Sequence, residues 1–224
     1  MKLPDTVALN DLELDALTEL VNMGVSRSAA SLRHMVGDEV LLSVPSVAVV
    51  SRSRAAQIIG DDPGSRMVAV HQAFDGDIAG RALLIFPETN SLELVRAVTG
   101  GRLPLEDIIE LEQEALAETG NIILNGCLAT IANMLQRSLQ MSLPEILRGS
   151  GPDFFALPDM GSSGGADEEK AVLFLYITFS VRERDIRGYI AMLMDLPALA
   201  SLKRLLADLI ARTAEGIYEV DGTR

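Results

Sequence analysis

Asp15-Ala16-Leu17-Thr18-Glu19-Leu20-Val21-Asn22 and Glu114-Ala115-Leu116-Ala117-Glu118-Thr119-Gly120-Asn121 repeat one pattern 99 positions apart. Each octet reads acid, three residues, Glu, two residues, Asn, and each is followed after twenty-two residues by a proline, Pro45 or Pro144. Steps of four and three return to one face of a helix, so Asp15, Glu19 and Asn22 form one polar stripe and Glu114, Glu118 and Asn121 another. At about 100° per residue, Leu17, Leu20, Val21 and Gly24 fall opposite the first stripe. Leu116, Thr119, Gly120, Ile123 and Cys127 fall opposite the second, with Asn125 on its polar side. Both helices are expected to bury the apolar face and turn the stripe to solvent. Glu, Lys and Gln suit an exposed helix better than Asn, so packing alone does not explain why Asn recurs.

The repetition extends outward from the octets. Asp77-Ile78-Ala79-Gly80-Arg81-Ala82-Leu83-Leu84-Ile85-Phe86 matches Asp185-Ile186-Arg187-Gly188-Tyr189-Ile190-Ala191-Met192-Leu193-Met194 at a distance of 108. The second half has therefore gained nine residues, which the Gly/Ser-rich stretch 161–169 accommodates as a loop. Each half reads as a long helix, an extended stretch, a strand pair and a second helix: 11–36, 40–50, 67–74 with 80–86, and 91–99, then 108–137, 143–157, 172–181 with 188–194, and 197–212. A short helix is expected over 51–59, and Gly100-Gly101-Arg102-Leu103-Pro104 marks the seam. Strands 172–181 and 188–194 are nearly continuously apolar, which calls for helices covering the sheet. The expectation is an α/β (α+β) fold, an internally duplicated sandwich with pseudo-two-fold symmetry and helices packed on one mostly antiparallel sheet. It forms a single domain of two repeats, about 9–100 and 108–212. Pro45 and Pro144 are expected to shape the start of a strand, since proline fixes φ and is tolerated at strand starts and edges.

Composition narrows the function classes. With 224 residues and 48% hydrophobic content the chain can bury a sizeable core. A net charge of −13 opposes binding to nucleic acid or anionic lipid, and the absence of Trp leaves no evident stacking platform for bases. No run of eighteen apolar residues occurs, and Met1-Lys2-Leu3-Pro4-Asp5 lacks the apolar core of a signal peptide, so a cytoplasmic location without a membrane partner is expected. A lone cysteine, Cys127, excludes an internal disulfide and a thiolate cluster and reads as core. His34, at the end of the first helix, and His71, on a strand, have no metal-ligand spacing around them.

A carboxylate and a carboxamide one helical turn apart can do a limited set of things. The amide can donate and accept hydrogen bonds and so orient a water, and the Glu can pair with a partner's Lys or Arg. No Ser/His/Asp order, Gly-x-Ser-x-Gly elbow, phosphate-binding glycine loop or metal cluster accompanies them. A partner would have to supply the rest of any chemistry.

The pattern [Ser/Asp]-x-x-x-Glu-x-x-Asn with Pro after twenty-two residues resembles the signature of the CheC family of chemotaxis phosphatases, which includes CheX and the flagellar switch phosphatase. Asp15, Glu19, Asn22 and Pro45 meet it, and Asn22-Met23-Gly24-Val25-Ser26-Arg27-Ser28-Ala29-Ala30 is similar to the small-residue continuation of the family. In the second copy Glu114 stands where the family has Ser or Asp, while Glu118, Asn121 and Pro144 fit. The resemblance covers essentially the whole chain, and its duplication is that of CheC rather than CheX.

The resemblance implies hydrolysis of the aspartyl phosphate of a CheY-type response regulator, which brings its own Mg²⁺ and lysine. Asn22 and Asn121 would orient the attacking water, Glu19 and Glu118 would pair with that lysine, and Asp15 and Glu114 would assist one turn away. A lysine-pairing and water-positioning role suits phosphoryl transfer, which depends on positioning and electrostatics. The family also makes the receptor deamidase CheD a candidate partner. The competing expectation is a non-catalytic CheC-like module that sequesters a regulator, regulates CheD or docks in a flagellar switch. Retention of both Asn/Glu pairs argues against it, since the rotor proteins of similar fold typically lack them. A chain holding both halves is expected to be a monomer, and residues 214–224 read as a tail or a docking element.

Overall fold

The computed structural model describes residues 8–36, 39–59, 66–98, 104–156, 171–181 and 184–221. The seam 100–103 and the loop 161–169 therefore lie outside the described residues. The first helix, α1 (Asp11–Val36), starts at Asn10, whose Oδ1 accepts the Glu13 N–H at 2.9 Å while Glu13 Oε2 accepts the Asn10 N–H at 2.8 Å. This reciprocal box satisfies two of the donors every helix leaves open at its N-terminus. Replacing Asn10 with Ala is expected to cost about 1 kcal/mol, a drop of roughly 2–4 °C in Tm by calorimetry. An unchanged Tm would show that the box contributes nothing.

Strand β1 (Val40–Ser51) and the short helix α2 (Arg52–Ile59) follow, then the hairpin β2 (Met67–Gly76) and β3 (Gly80–Pro87), and helix α3 (Glu88–Val98). The second half begins with α4 (Leu105–Met134). Strand β4 (Leu139–Met141) precedes the stretch 143–157, expected to be irregular and extended, which contains β5 (Glu145–Gly149) and the short helix α5 (Gly151–Ala156). Hairpin strands β6 (Ala171–Val181) and β7 (Arg184–Met194) then lead to α6 (Leu196–Asp221), nine residues longer at its C-terminus than the periodicity indicates. The putting-together of the remaining boundaries agrees with the expected ones to within a few residues.

All strand pairs are antiparallel, in the order β1-β6-β7-β3-β2, with β4 and β5 in tandem on the far side of β2. The central register shows the pseudo-two-fold axis. Leu83 faces Ala191, its own counterpart 108 positions on, and the flanking pairs Arg81↔Leu193 and Ile85↔Tyr189 exchange under the same shift. The outer pairs follow the same symmetry with different shifts, β1 on β6 corresponding to β4 and β5 on β2.

Alternation along the strands feeds two cores. Val68, Val70, Ala82, Leu84, Phe86, Leu173, Leu175, Ile190 and Met192 point to α1, α3, α4 and α6. Met67, Ala69, Leu83, Ile85, Val172, Phe174, Ala191 and Leu193 point to the other face, where Ala55 and Ile59 of α2 and Phe154 and Phe155 of α5 cover them. Both faces of the central strands are thus buried, which is why their sequences read as continuous apolar runs.

His71 lies in β2 at 6% exposure, with Nδ1 3.7 Å from Glu145 Oε2. Burial, with the Arg81 guanidinium adding to it, holds the imidazole below its ordinary value of 6.5, against the opposing pull of Glu145. As pH falls the unfolded chain takes up this proton first, so His71's contribution is full above about pH 6.5 and is lost below it. His71→Gln should flatten the decline of Tm between about pH 7 and pH 5; an unaltered slope would assign that decline to other groups.

Candidate functional site

Helices α1 and α4 pack antiparallel and very closely. A Cβ on Gly24 would stand 2.7 Å from Cys127 Cα and 2.9 Å from the Gly126 carbonyl, and one on Gly126 would strike the Ser28 hydroxyl. That hydroxyl lies 3.0 Å from Gly24 O and, across the helix pair, 3.1 Å from Ile122 O. The contact of Gly24 with Cys127 becomes that of Ile123 with Ser28 under the 99-residue shift, so the pseudo-axis runs through this crossing. Cys127 itself is fully buried, and desolvation pushes its thiol up to about 12, so it serves as core.

The apolar faces read from the sequence are buried: Leu17, Val21, Leu116, Thr119, Ile123 and Cys127 have no exposure. Helix residues Leu111–Met134 are apolar and long enough to cross a membrane by length and composition, but here that apolar surface packs on α1 and β2 inside the fold. On the outer side Asp15, Glu19, Glu114 and Glu118 are exposed, as expected, whereas Asn22 and Asn121 are half-buried. The asparagines reach inward because each carboxamide is tied to the strand layer.

The ties explain the two prolines. Within β1 the register shifts between Ser43↔Thr178 and Ser46↔Tyr176, so Val44 and Pro45 together oppose the single residue Ile177. On the other side Met141 pairs with Phe74 and Glu145 with His71, so 142–144 oppose only Gln72 and Ala73. Pro144 leads directly into β5 (Glu145–Gly149), as expected, whereas Pro45 lies inside β1 and does not start a strand. Both sit at equivalent bulges on the two edges of the sheet, where a residue without an N–H is tolerated and the ladder is interrupted.

In the first repeat that interruption leaves the Val44 N–H to donate to Asn22 Oδ1, at 3.3 Å. In the second, Asn121 Oδ1 accepts from Gln72 Nε2 at 3.1 Å and from Asn125 Nδ2 at 2.7 Å, and Gln72 Nε2 also donates to Ser142 O at 2.9 Å. A group facing donors must present its oxygen. Both asparagines thus turn Oδ1 inward, and among the described residues their NH₂ groups have no hydrogen-bond partner.

The two stations are not identical in their surroundings. A groove of about 360 Å³ beside Asn121 is lined by Arg27, Ser28, Ser31, Ile122, Asn125 and Gly126. Arg27 Nη1 lies 3.5 Å from Thr130 Oγ1, while its counterpart position in the second repeat is Gly126. A cleft of about 400 Å³ between the end of α4 and α6 contains neither motif. Among the described residues no group of three His, Cys, Asp or Glu side chains is placed to hold a metal ion.

The sequence reading placed Asn125 on the polar stripe but did not foresee its bond to Asn121, and it missed Gln72 and the leucines that head the stripes. Gln72 is a polar residue inside an apolar strand run, and Asn125 lies one turn beyond Asn121; both could have been flagged by their chemistry, but only the fold brings them to the same oxygen. Leu12 and Leu111, 59% and 38% exposed, stand at the head of the two stripes, again 99 apart. The signal for them was the spacing 12, 15, 19, 22, which continues each stripe by one residue.

No family model matches the chain. Among curated proteins it is 24% identical over 143 residues to the CheY-P phosphatase CheC of Bacillus subtilis, covering 62% of this chain and 67% of that protein. It is 22% identical over 147 residues to the flagellar motor switch phosphatase FliY of the same organism, covering 65% of this chain but only 38% of that one. Among solved structures, Thermotoga maritima FliY superimposes with a TM-score of 0.67 at 16% identity, covering 90% of this chain and 99% of that chain. The chain is similar to the CheC family in sequence and to FliY in fold.

Proposed function

We propose that this protein is a phosphatase that hydrolyses the aspartyl phosphate of a CheY-type response regulator, with one station in each repeat. The observation that carries the reading is that both asparagine carboxamides are locked with Oδ1 inward, each one turn from an exposed glutamate, Glu19 or Glu118. The names of the relatives, a CheY-P phosphatase and a switch phosphatase, agree with it.

In this reading the regulator supplies the phosphoryl group, its Mg²⁺ and a lysine, and this chain needs no cofactor of its own. Glu19 or Glu118 pairs with that lysine and sets the register of docking. The outward NH₂ of Asn22 or Asn121 donates to the water oxygen and leaves its second lone pair aimed at phosphorus. The new P–O bond forms in line as the bond to the aspartyl oxygen breaks, the carboxylate departs with its electron pair, and the protons of the water leave with the released phosphate. Asp15 and Glu114 extend the acidic stripe toward a basic surface of the regulator, and Pro45 and Pro144 act indirectly by maintaining the bulges. The two repeats, about 9–100 and 108–212, work as one domain. We further propose a monomeric, cytoplasmic protein, with CheD as a second partner.

The test is phosphate release from a regulator loaded with acetyl phosphate and Mg²⁺, with and without this chain. The reading predicts acceleration proportional to catalytic amounts of the chain. Binding without acceleration would replace it with a sequestering module.

A further inference from the structure

Gln72 has no solvent exposure and lies on β2 beside the bulge of Pro144, where a fully buried amide calls for a physical reason. Packing does not supply one. Phe74 pairs with Met141 as Phe179 pairs with Leu42, so β2 maps onto β6 with a shift of 105 and the counterpart of Gln72 is Ile177. Ile177 is buried at 2% exposure, and so the same station of the same fold accepts an aliphatic side chain.

The amide is also incompletely satisfied. Both Nε2 protons are used, one on Asn121 Oδ1 and one on Ser142 O, but Oε1 is buried with no partner among the described residues, as is Asn125 Oδ1. Turning the Gln72 amide over would set its oxygen against two acceptors, so the orientation is fixed by what it clamps. In the first repeat a backbone N–H does this job, and the residue matching Asn125 is the exposed Ser26.

We infer that Gln72 is a positioning residue dedicated to the second station, holding the Asn121 carboxamide so that its NH₂ faces the substrate. The first station is set by the backbone and does not depend on Gln72. The two sites therefore respond separately to substitution, although they share a helix pair. This inference rests on the phosphatase reading for its kinetic consequence, and on the hydrogen bonds alone for its structural one.

The experiment uses two single-site proteins, Asn22→Ala and Asn121→Ala, each with and without Gln72→Ile, the residue of the equivalent station. Gln72→Met, unbranched and of similar length, serves as a second variant in case Ile disturbs folding. In the Asn22→Ala background, either change should lower kcat for regulator dephosphorylation on the order of tenfold with KM within about twofold, the signature of lost positioning rather than lost binding. In the Asn121→Ala background the rate should not change. In otherwise wild-type protein, the side-chain NH₂ resonances of Asn121 should shift on Gln72→Met while those of Asn22 stay in place.

Equal losses at both stations would mark Gln72 as merely structural. Unchanged kcat in the Asn22→Ala background, or an unmoved Asn121 resonance, would overturn the inference. Absence of phosphatase activity in the wild type would overturn the functional reading and leave the resonance experiment to decide the clamp.

Discussion

Substituting both Asn22 and Asn121 with Ala is expected to bring dephosphorylation of the regulator down to its spontaneous rate, while either single variant keeps the other station's share. Each station should lose on the order of tenfold to a hundredfold, the range that misplacing a reacting water costs. Alanine also removes an acceptor from buried donors, the Val44 N–H in one repeat and Gln72 and Asn125 in the other. An unsatisfied buried donor costs about 1–3 kcal/mol, so a drop in activity could be confused with a drop in folding. Asn22→Asp and Asn121→Asp separate the two. Aspartate still accepts those bonds but has no NH₂ to hold a water, and it places a negative charge beside the phosphoryl group. The aspartate pair should therefore be as inactive as the alanine pair yet closer to wild type in Tm. Full activity in the aspartate pair would show that the NH₂ groups do not take part.

The largest effect on stability is expected from Gly24→Val. Its Cβ would meet backbone atoms of Cys127 and Gly126, at 2.7 and 2.9 Å, and backbone cannot swing aside as a flexible side chain can. The helices must separate, opening the packing of Val21, Val25, Ile123 and Leu124 beneath them. Overpacking of this kind costs about 1–3 kcal/mol. For a chain of this size that is a loss of roughly 2–12 °C in Tm, and the branched side chain places Val toward the upper end. Because both stripes ride on this helix pair, phosphatase activity should fall with it at both stations. Ala30→Val, on the exposed side of α1, provides the control and should stay within about 0.5 kcal/mol of wild type. A wild-type Tm for Gly24→Val would contradict a helix pair held in contact at Gly24 and Cys127.

Much of the fold was legible because duplication supplied the same message twice. The helix periods of 11–36 and 108–137, the apolar strand runs and the 108-residue match between the two hairpins led directly to a symmetric sheet with helices on it. What the chain alone did not reveal was set by long-range pairing. Residues 139–149 lack a clear period because the edge strand is interrupted at 142–144, so β4 and β5 become visible only through their pairing with β2. The local geometry of proline suits Pro144, which leads into β5, but the place of Pro45 inside β1 depends on the register shift opposite β6. The site followed the same division. The stripes could be read from spacing along one helix, but the groups that orient Asn121 come from β2 and from the next turn of α4, and Gln72 is 49 residues away in sequence. Periodicity also could not say that the carboxamides would be half-buried, since that depends on donors offered by the bulges.

In the proposed reaction the NH₂ groups of Asn22 and Asn121 meet the phosphorylated aspartate of a regulator. The most direct measurement follows the side-chain amide resonances of the isotope-labelled chain during titration with a CheY-type regulator carrying Mg²⁺ and beryllofluoride, which mimics the aspartyl phosphate. The predicted result is a selective perturbation of the Asn22 and Asn121 NH₂ signals, with little change when the mimic is omitted. Tight binding of the loaded regulator that leaves both NH₂ signals unmoved would contradict the claim.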